Sequence, residues 1–196
     1  MWTLHQSKAT GLVILSGEER KNIAFYLSHW IKNMNPVFVA AAIAFSAILV
    51  LQPSLPCDKT FVDAIQRPAF HGSWGHLAVN LFAFYALTQS IQPRIGTVKY
   101  IMLIGFLWLV TSIMDLFFAK NCSIGFSGVV LGLLVWDLFD KGQLKWDLAA
   151  MASLALIWIQ PLVQGQQQVS MAGHFYGIVA GLMAVFLFPQ SRIAPA

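Results

Sequence analysis

The chain has 196 residues, of which 58% are hydrophobic and only 10% charged, and it carries a formal net charge of +4 at pH 7. A water-soluble domain normally has about 25% charged residues, so the composition excludes an ordinary soluble fold and makes hydrocarbon the expected solvent. No basic-aromatic stripe accompanies the positive charge, which therefore reads as membrane topology and contact with anionic lipid, with no nucleic-acid partner.

In chain order, Ser16-Gly17-Glu18-Glu19 has the spacing of a capping box. Ile23, Leu27, Trp30, Ile31 and Met34 follow on one helical face beside Arg20, Lys21 and Lys32, a pattern that suits a helix lying in the inner interface. Asn35-Pro36 ends that helix and opens the first span, because proline suits the first helical position and disfavours a helical residue before it. Apolar runs of a length suited to about 30 Å of hydrocarbon occupy 36–52, 75–92, 98–118, 126–138, 147–163 and 170–188. The first is not expected to be a cleaved signal, since a long segment precedes it and no small-residue cleavage site intervenes before Pro53 and Pro56. The predicted architecture is an all-α integral membrane bundle of six transmembrane helices. Residues 1–35 form a cytoplasmic N-terminal segment, 36–188 the membrane domain and 189–196 a short cytoplasmic tail. No internal repeat is visible, and Gln164-Gly165-Gln166-Gln167-Gln168 is the one low-complexity stretch.

Basic residues collect on the cytoplasmic side of short loops. With the N-terminus inside, the inner segments hold Lys8, Arg20, Lys21, Lys32, Arg94, Lys99, Lys141, Lys145 and Arg192, and the outer ones only Lys59, Arg67 and Lys120. Nine against three predicts N-in, C-in. Spans two, four and six then run from outside to inside, with His76 and Asn80, Ser127, and His174 at their outer ends. A hydroxyl and an imidazole are costly in hydrocarbon, so polar groups at matching depth are a functional hypothesis. His76 and Asn80 are four apart and share a helix face.

Gly128 and Gly132 make a small-residue ridge on span four, and Gly173, Gly177 and Gly181 make one on span six. Such ridges let membrane helices approach until their backbones touch. Ser127 and His174 each lie one residue from the start of a ridge, so the contact that joins the helices would bring hydroxyl to imidazole. A serine hydroxyl becomes a useful nucleophile when a base within hydrogen-bond reach takes its proton. The N–H groups that open the Ser127 helix, with His76 and Asn80, are candidate donors to an oxyanion. No carboxylate lies on spans two, four or six at this depth, so the expectation is a Ser–His dyad; Asp115, the nearest acid, is expected to stand apart. No cofactor is implied. His71 and His76, five apart and expected on different faces, have no cysteine or carboxylate near them to complete a zinc site, and no metal is expected.

His71, His76-Leu77-Ala78-Val79-Asn80, Gly125-Phe126-Ser127-Gly128 and Gly173-His174-Phe175-Tyr176-Gly177-Ile178-Val179-Ala180-Gly181, in this order, resemble the rhomboid intramembrane serine proteases. Arg94 and Gly96 also fit that family's short inner loop. The resemblance implies the rhomboid fold and cleavage of transmembrane protein substrates near the outer face. It makes Ser127 the nucleophile, His174 the general base, and His76, Asn80 and Phe126 the oxyanion and substrate contacts. Gly125, Gly128, Gly132, Gly173, Gly177, Gly181 and His71 become structural residues. It also implies that an outer loop, residues 53–74, packs partly into the bilayer, and the expected location is a multi-pass protein of a bacterial inner membrane.

Three positions depart from the family pattern. Leu131 stands where many rhomboids stack an aromatic on the catalytic histidine, leaving His174 to be held by packing alone. The Trp-Arg pair of the first outer loop is missing, and Gln92 replaces the usual acid after span two. A non-catalytic relative that binds or moves membrane clients, and a transporter or channel, are the competing readings. Trp30, Trp74, Trp136 and Trp146 are expected in interfacial aromatic belts. Cys57 and Cys122 both fall outside, where a disulfide can persist, and the sequence leaves open whether they are bridged or free.

Overall fold

A computed structural model describes residues 34–51, 57–119, 122–140 and 171–189, together with Glu18 and Ser54. The chain divides into two compact units, Met1–Asn35 and Pro36–Ala196, and the helices of the bundle belong to the second. The interfacial helix expected before Asn35, apart from Glu18 and Met34, and the span expected at 147–163 lie outside the described residues. So do Trp30, Trp146 and the glutamine-rich loop.

Helix α1 is Pro36–Leu51, and a short α2, Phe61–Gln66, leads into a 3-10 turn at Arg67–Ala69. The longer α3, Trp74–Ile95, and α4, Thr97–Phe118, are followed by α5, Ser127–Asp140, and α6, Met171–Leu187. Among the described residues every regular element is helical. Local chemistry explains the ends. Thr60 Oγ1 accepts the Asp63 N–H at 3.1 Å to start α2, and Ser73 Oγ accepts the His76 N–H at 3.1 Å to start α3. Gly96, at φ +80°, reverses the chain between α3 and α4, a backbone angle that a side chain would resist. Gln92 bridges that turn by donating from Nε2 to Thr97 Oγ1 at 2.7 Å, which gives the residue found in place of the family's acid a bond of its own.

By length and composition α4 is the one described helix able to cross a membrane. At 1.5 Å per residue, its 22 residues reach about 33 Å. Helices Pro36–Leu51, Ser127–Phe139 and Met171–Leu187 are apolar but shorter, and α3, although 22 residues long, carries buried polar groups along its length. The bundle has an apolar core into which polar groups are set, and it exposes large apolar side chains on its surface. Asn80, Thr88, Thr111, Ser112, Asp115, Asp137 and His174 are buried, while Ile43, Phe82, Met102, Phe117, Phe175 and Phe186 are exposed. That apolar surface suits a hydrocarbon surround.

At the end of the bundle away from Ser127, α3 is tied to α5 by an ion pair from Arg94 Nη2 to Asp137 Oδ1. Arg94 Nε also donates to the Ser90 carbonyl at 2.8 Å, and its guanidinium lies 6.0 Å from the Trp136 ring centre. Trp136 is no belt residue. It is buried, and its Nε1 donates to the Phe188 carbonyl at 3.3 Å, joining α5 to the end of α6. An indole that faces inward at this depth needs a partner for its N–H, and the end of α6 supplies one.

Candidate active site

The turn that opens α5 is shaped from three directions. Gly125 has φ +112°, and a Cβ there would meet His76 Cε1 at 2.6 Å, so both the backbone angle and the imidazole require glycine. Phe126 is buried, its ring within 5.0 Å of Phe45, 5.1 Å of Phe84 and 5.6 Å of Trp108 between centroids. Its side chain is thus an anchor in the core, and the expected substrate contact can be made only through its backbone. The Val130 N–H donates to the Phe126 carbonyl at 3.1 Å as the helix begins, which leaves Ser127 in the first turn, where N–H groups have no partner within the helix.

Helices α5 and α6 pack through their glycines. A Cβ at Gly128 would stand 3.0 Å from the Gly173 carbonyl oxygen, and one at Gly132 would stand 3.1 Å from the Gly177 oxygen. In the other direction, a Cβ at Gly177 would overlap the Gly128 carbonyl, and one at Gly181 would lie 2.6 Å from the Gly132 oxygen. The two ridges therefore meet rung on rung. At the end of this seam where α5 begins, His174 Nε2 lies 3.0 Å from Ser127 Oγ, with both residues buried. With Nε2 facing the hydroxyl as acceptor, Nδ1 carries the ring proton, and that atom is buried without a hydrogen-bond partner among the described residues. Leu131 is buried in the apolar core one turn after the serine.

Asn80 is fully buried on α3, and its Nδ2 donates to the His76 carbonyl at 2.9 Å. One amide N–H is thereby committed to the helix and one remains for another acceptor. The His76 ring packs on Gly125, beside the turn. Sequence spacing puts His71 on a different face from His76, yet the two rings stand 5.0 Å apart, edge to face. Helical spacing does not apply to that pair, because α3 begins only at Trp74 and His71 belongs to the loop folded back against it. His71 Nδ1 lies 3.2 Å from the Ala69 carbonyl, and burial pushes its pKa down from 6.5 to about 4.

Three features of the loop before α3 have no signature in sequence spacing. Arg67 Nη1 donates to Asp115 Oδ2 at 2.5 Å, with both side chains almost wholly buried. That bond gives Asp115 its partner on the loop. Trp108 Nε1 donates to the Ile65 carbonyl at 2.7 Å. Cys57 and Cys122 form a disulfide with Cα atoms 5.4 Å apart, which closes the alternative of free thiols.

This arrangement can be set beside known proteins. The rhomboid domain matches residues 58–191, which takes in α2 through α6 and every residue of the site. The chain belongs to the rhomboid family. It is 33% identical over 142 residues to a "Putative rhomboid protein" of Acanthamoeba polyphaga mimivirus, covering 69% of this chain and 80% of the viral one. An "Uncharacterized protein" of Mycobacterium leprae (strain TN) is 26% identical over 136 residues, covering 61% of this chain and 53% of that protein, so this rhomboid spans about half of the mycobacterial relative it matches. Rhomboids are membrane-embedded proteins, which agrees with the composition and with the exposed apolar side chains.

Proposed function

We propose that this rhomboid is an intramembrane serine endopeptidase that cuts transmembrane segments of other proteins with a dyad of Ser127 and His174. The observation that carries the reading is the 3.0 Å approach of His174 Nε2 to Ser127 Oγ at the end of a glycine-lined seam. In the first step Oγ attacks the scissile carbonyl carbon while Nε2 takes the hydroxyl proton. The tetrahedral intermediate is met by N–H groups of the first turn of α5, helped by the helix dipole, by the free amide N–H of Asn80 and by His76. Collapse breaks the C–N bond, with the imidazolium giving its proton to the departing amine and leaving an acyl-serine. Water, deprotonated by the same imidazole, then releases the acid and restores the hydroxyl. His174 works here with its Nδ1–H unpartnered, so packing against α5 does the orienting that a carboxylate does in a triad.

The proposed protease is multi-pass with N-terminus and C-terminus inside, as the nine-to-three distribution of basic residues supports. Its domain is residues 36–188, its partners are the bilayer and transmembrane protein substrates, and the cut falls near the outward end of the client span, where small residues let the helix unwind. The deciding experiment is a fluorophosphonate probe applied to detergent-solubilised protein. Wild type is expected to label covalently, and Ser127→Ala and His174→Ala to remain dark while still inserting. Equal labelling of wild type and Ser127→Ala would end the dyad, and an unlabelled wild type would favour a non-catalytic rhomboid that binds membrane clients.

A further inference from the structure

The turn that carries the nucleophile hangs from the backbone of Arg67. Its carbonyl oxygen accepts the Gly125 N–H at 3.1 Å and the Phe70 N–H at 3.1 Å, so both lone pairs are used. Its side chain reaches the opposite way. Nη1 donates to Asp115 Oδ2 at 2.5 Å on α4, and Nη2 donates to the Asp58 carbonyl at 2.6 Å, beside the Cys57 disulfide. The residue is buried, and a guanidinium with a forked set of donors is held in one orientation when two acceptors meet it.

Gly125 has its N–H turned to the loop and its Cα against the His76 ring, so the Arg67 carbonyl and that imidazole grip the peptide from two sides. The peptide bonds that follow carry the N–H groups aimed at an oxyanion. A shift of the Gly125 plane moves those donors and His76 together, and it does so without touching the seam that aligns Ser127 with His174.

We propose that Arg67 is a positioning residue for the oxyanion-binding turn: its guanidinium, fixed by Asp115 and the Asp58 carbonyl, holds the Arg67 carbonyl where it sets the Gly125 peptide. The inference rests on the protease reading for its effect on turnover, and on the geometry alone for its effect on the turn. It gives the buried ion pair a task beyond cohesion, because a pair kept only for stability could be exchanged for apolar side chains of similar volume.

The test is that exchange. In Arg67→Leu/Asp115→Leu no unpaired charge is left behind, so the thermal midpoint is expected to stay near wild type. The kcat for a transmembrane substrate in liposomes is expected to fall about 10²-fold, the scale of an ångström's misplacement, with KM unchanged. Hydrogen exchange of the peptide covering 122–128 is expected to speed up. Arg67→Lys keeps a charge for Asp115 but loses the fork, and should lower kcat about tenfold at an unchanged midpoint. Should the double variant fail to insert, the lysine variant decides. Wild-type kcat together with wild-type exchange in whichever variant folds overturns the proposal, as does a fall in midpoint and kcat together with exchange unaltered at 122–128. If wild-type protein takes no phosphonate label, the protease reading falls by itself, and the exchange measurement still decides whether Arg67 holds the turn.

Discussion

Two regions hold the opening of α5, and they do it by opposite means. On one side the seam with α6 has almost no side chains: glycine faces carbonyl at Gly128, Gly132, Gly177 and Gly181, and the nucleophile and base are aligned by how closely two backbones approach. On the other side the loop before α3 is crowded with specific bonds, from the Arg67 ion pair and the Trp108 indole to the Cys57–Cys122 bridge. The seam sets a distance and the loop sets a direction. Errors in the first should be unforgiving, and errors in the second graded.

The sharpest break in that contrast is Gly177→Val. Its side chain would occupy the position of the Gly128 carbonyl, so the helices must separate and carry His174 away from Ser127. Phosphonate labelling is expected to fall more than about 10²-fold, and labelling retained at wild-type rate would mean that the seam does not set the dyad. Loop changes should be milder on chemistry and heavier on stability. Cys57→Ser removes a cross-link between residues 65 apart, worth roughly 4 kcal/mol in the chain-entropy model. Urea titration in mild detergent should register most of that loss, and a midpoint equal to wild type would show that the loop is held without its bridge.

Acid should also act on the loop. His71 has a folded pKa of about 4 against 6.5 when free, so between those values the unfolded chain binds the proton and the folded one does not. Stability is therefore complete above pH 6.5 and is lost as pH falls toward 4, by up to about 3 kcal/mol. His71→Gln should flatten the thermal midpoint across that window, and parallel pH curves for the two proteins would refute this. The smallest effect is expected at Gly105, a helical glycine of α4 with open space where a Cβ would stand. Gly105→Ala should gain up to about 1 kcal/mol from helix propensity and leave activity unchanged; a loss of activity would mean that α4 needs a contact there which this packing lacks.

The seam was legible in the sequence because its signal is local. Glycines four apart mark a ridge wherever the helix goes, and the apolar runs placed the starts of α1 and α3 to α6 within a residue of those observed, Pro36 for α1 and Ser127 for α5 among them. The loop was not legible, since Arg67 and Asp115 stand 48 apart and Arg94 and Asp137 stand 43 apart, and nothing in spacing says which charges meet. Trp136 was misread because an indole near a predicted interface has the same sequence signature whether it faces lipid or core. His71 and His76 were misread because a helical wheel was applied to a residue outside the helix. Phe126 looked like a site residue by its place in Gly125-Phe126-Ser127-Gly128, whereas its ring serves the core.

The bridge from Cys57 to Cys122 has a topological meaning separate from its energy. It closes a covalent ring that contains all of α3 and α4. Gly96 reverses the chain between those two helices, so the ring doubles back on itself and its two open ends lie at one end of the α3–α4 hairpin. The bridge therefore ties the start of the loop before α3 to the segment that leads into Ser127, and the turn carrying the nucleophile is joined covalently to both ends of the hairpin.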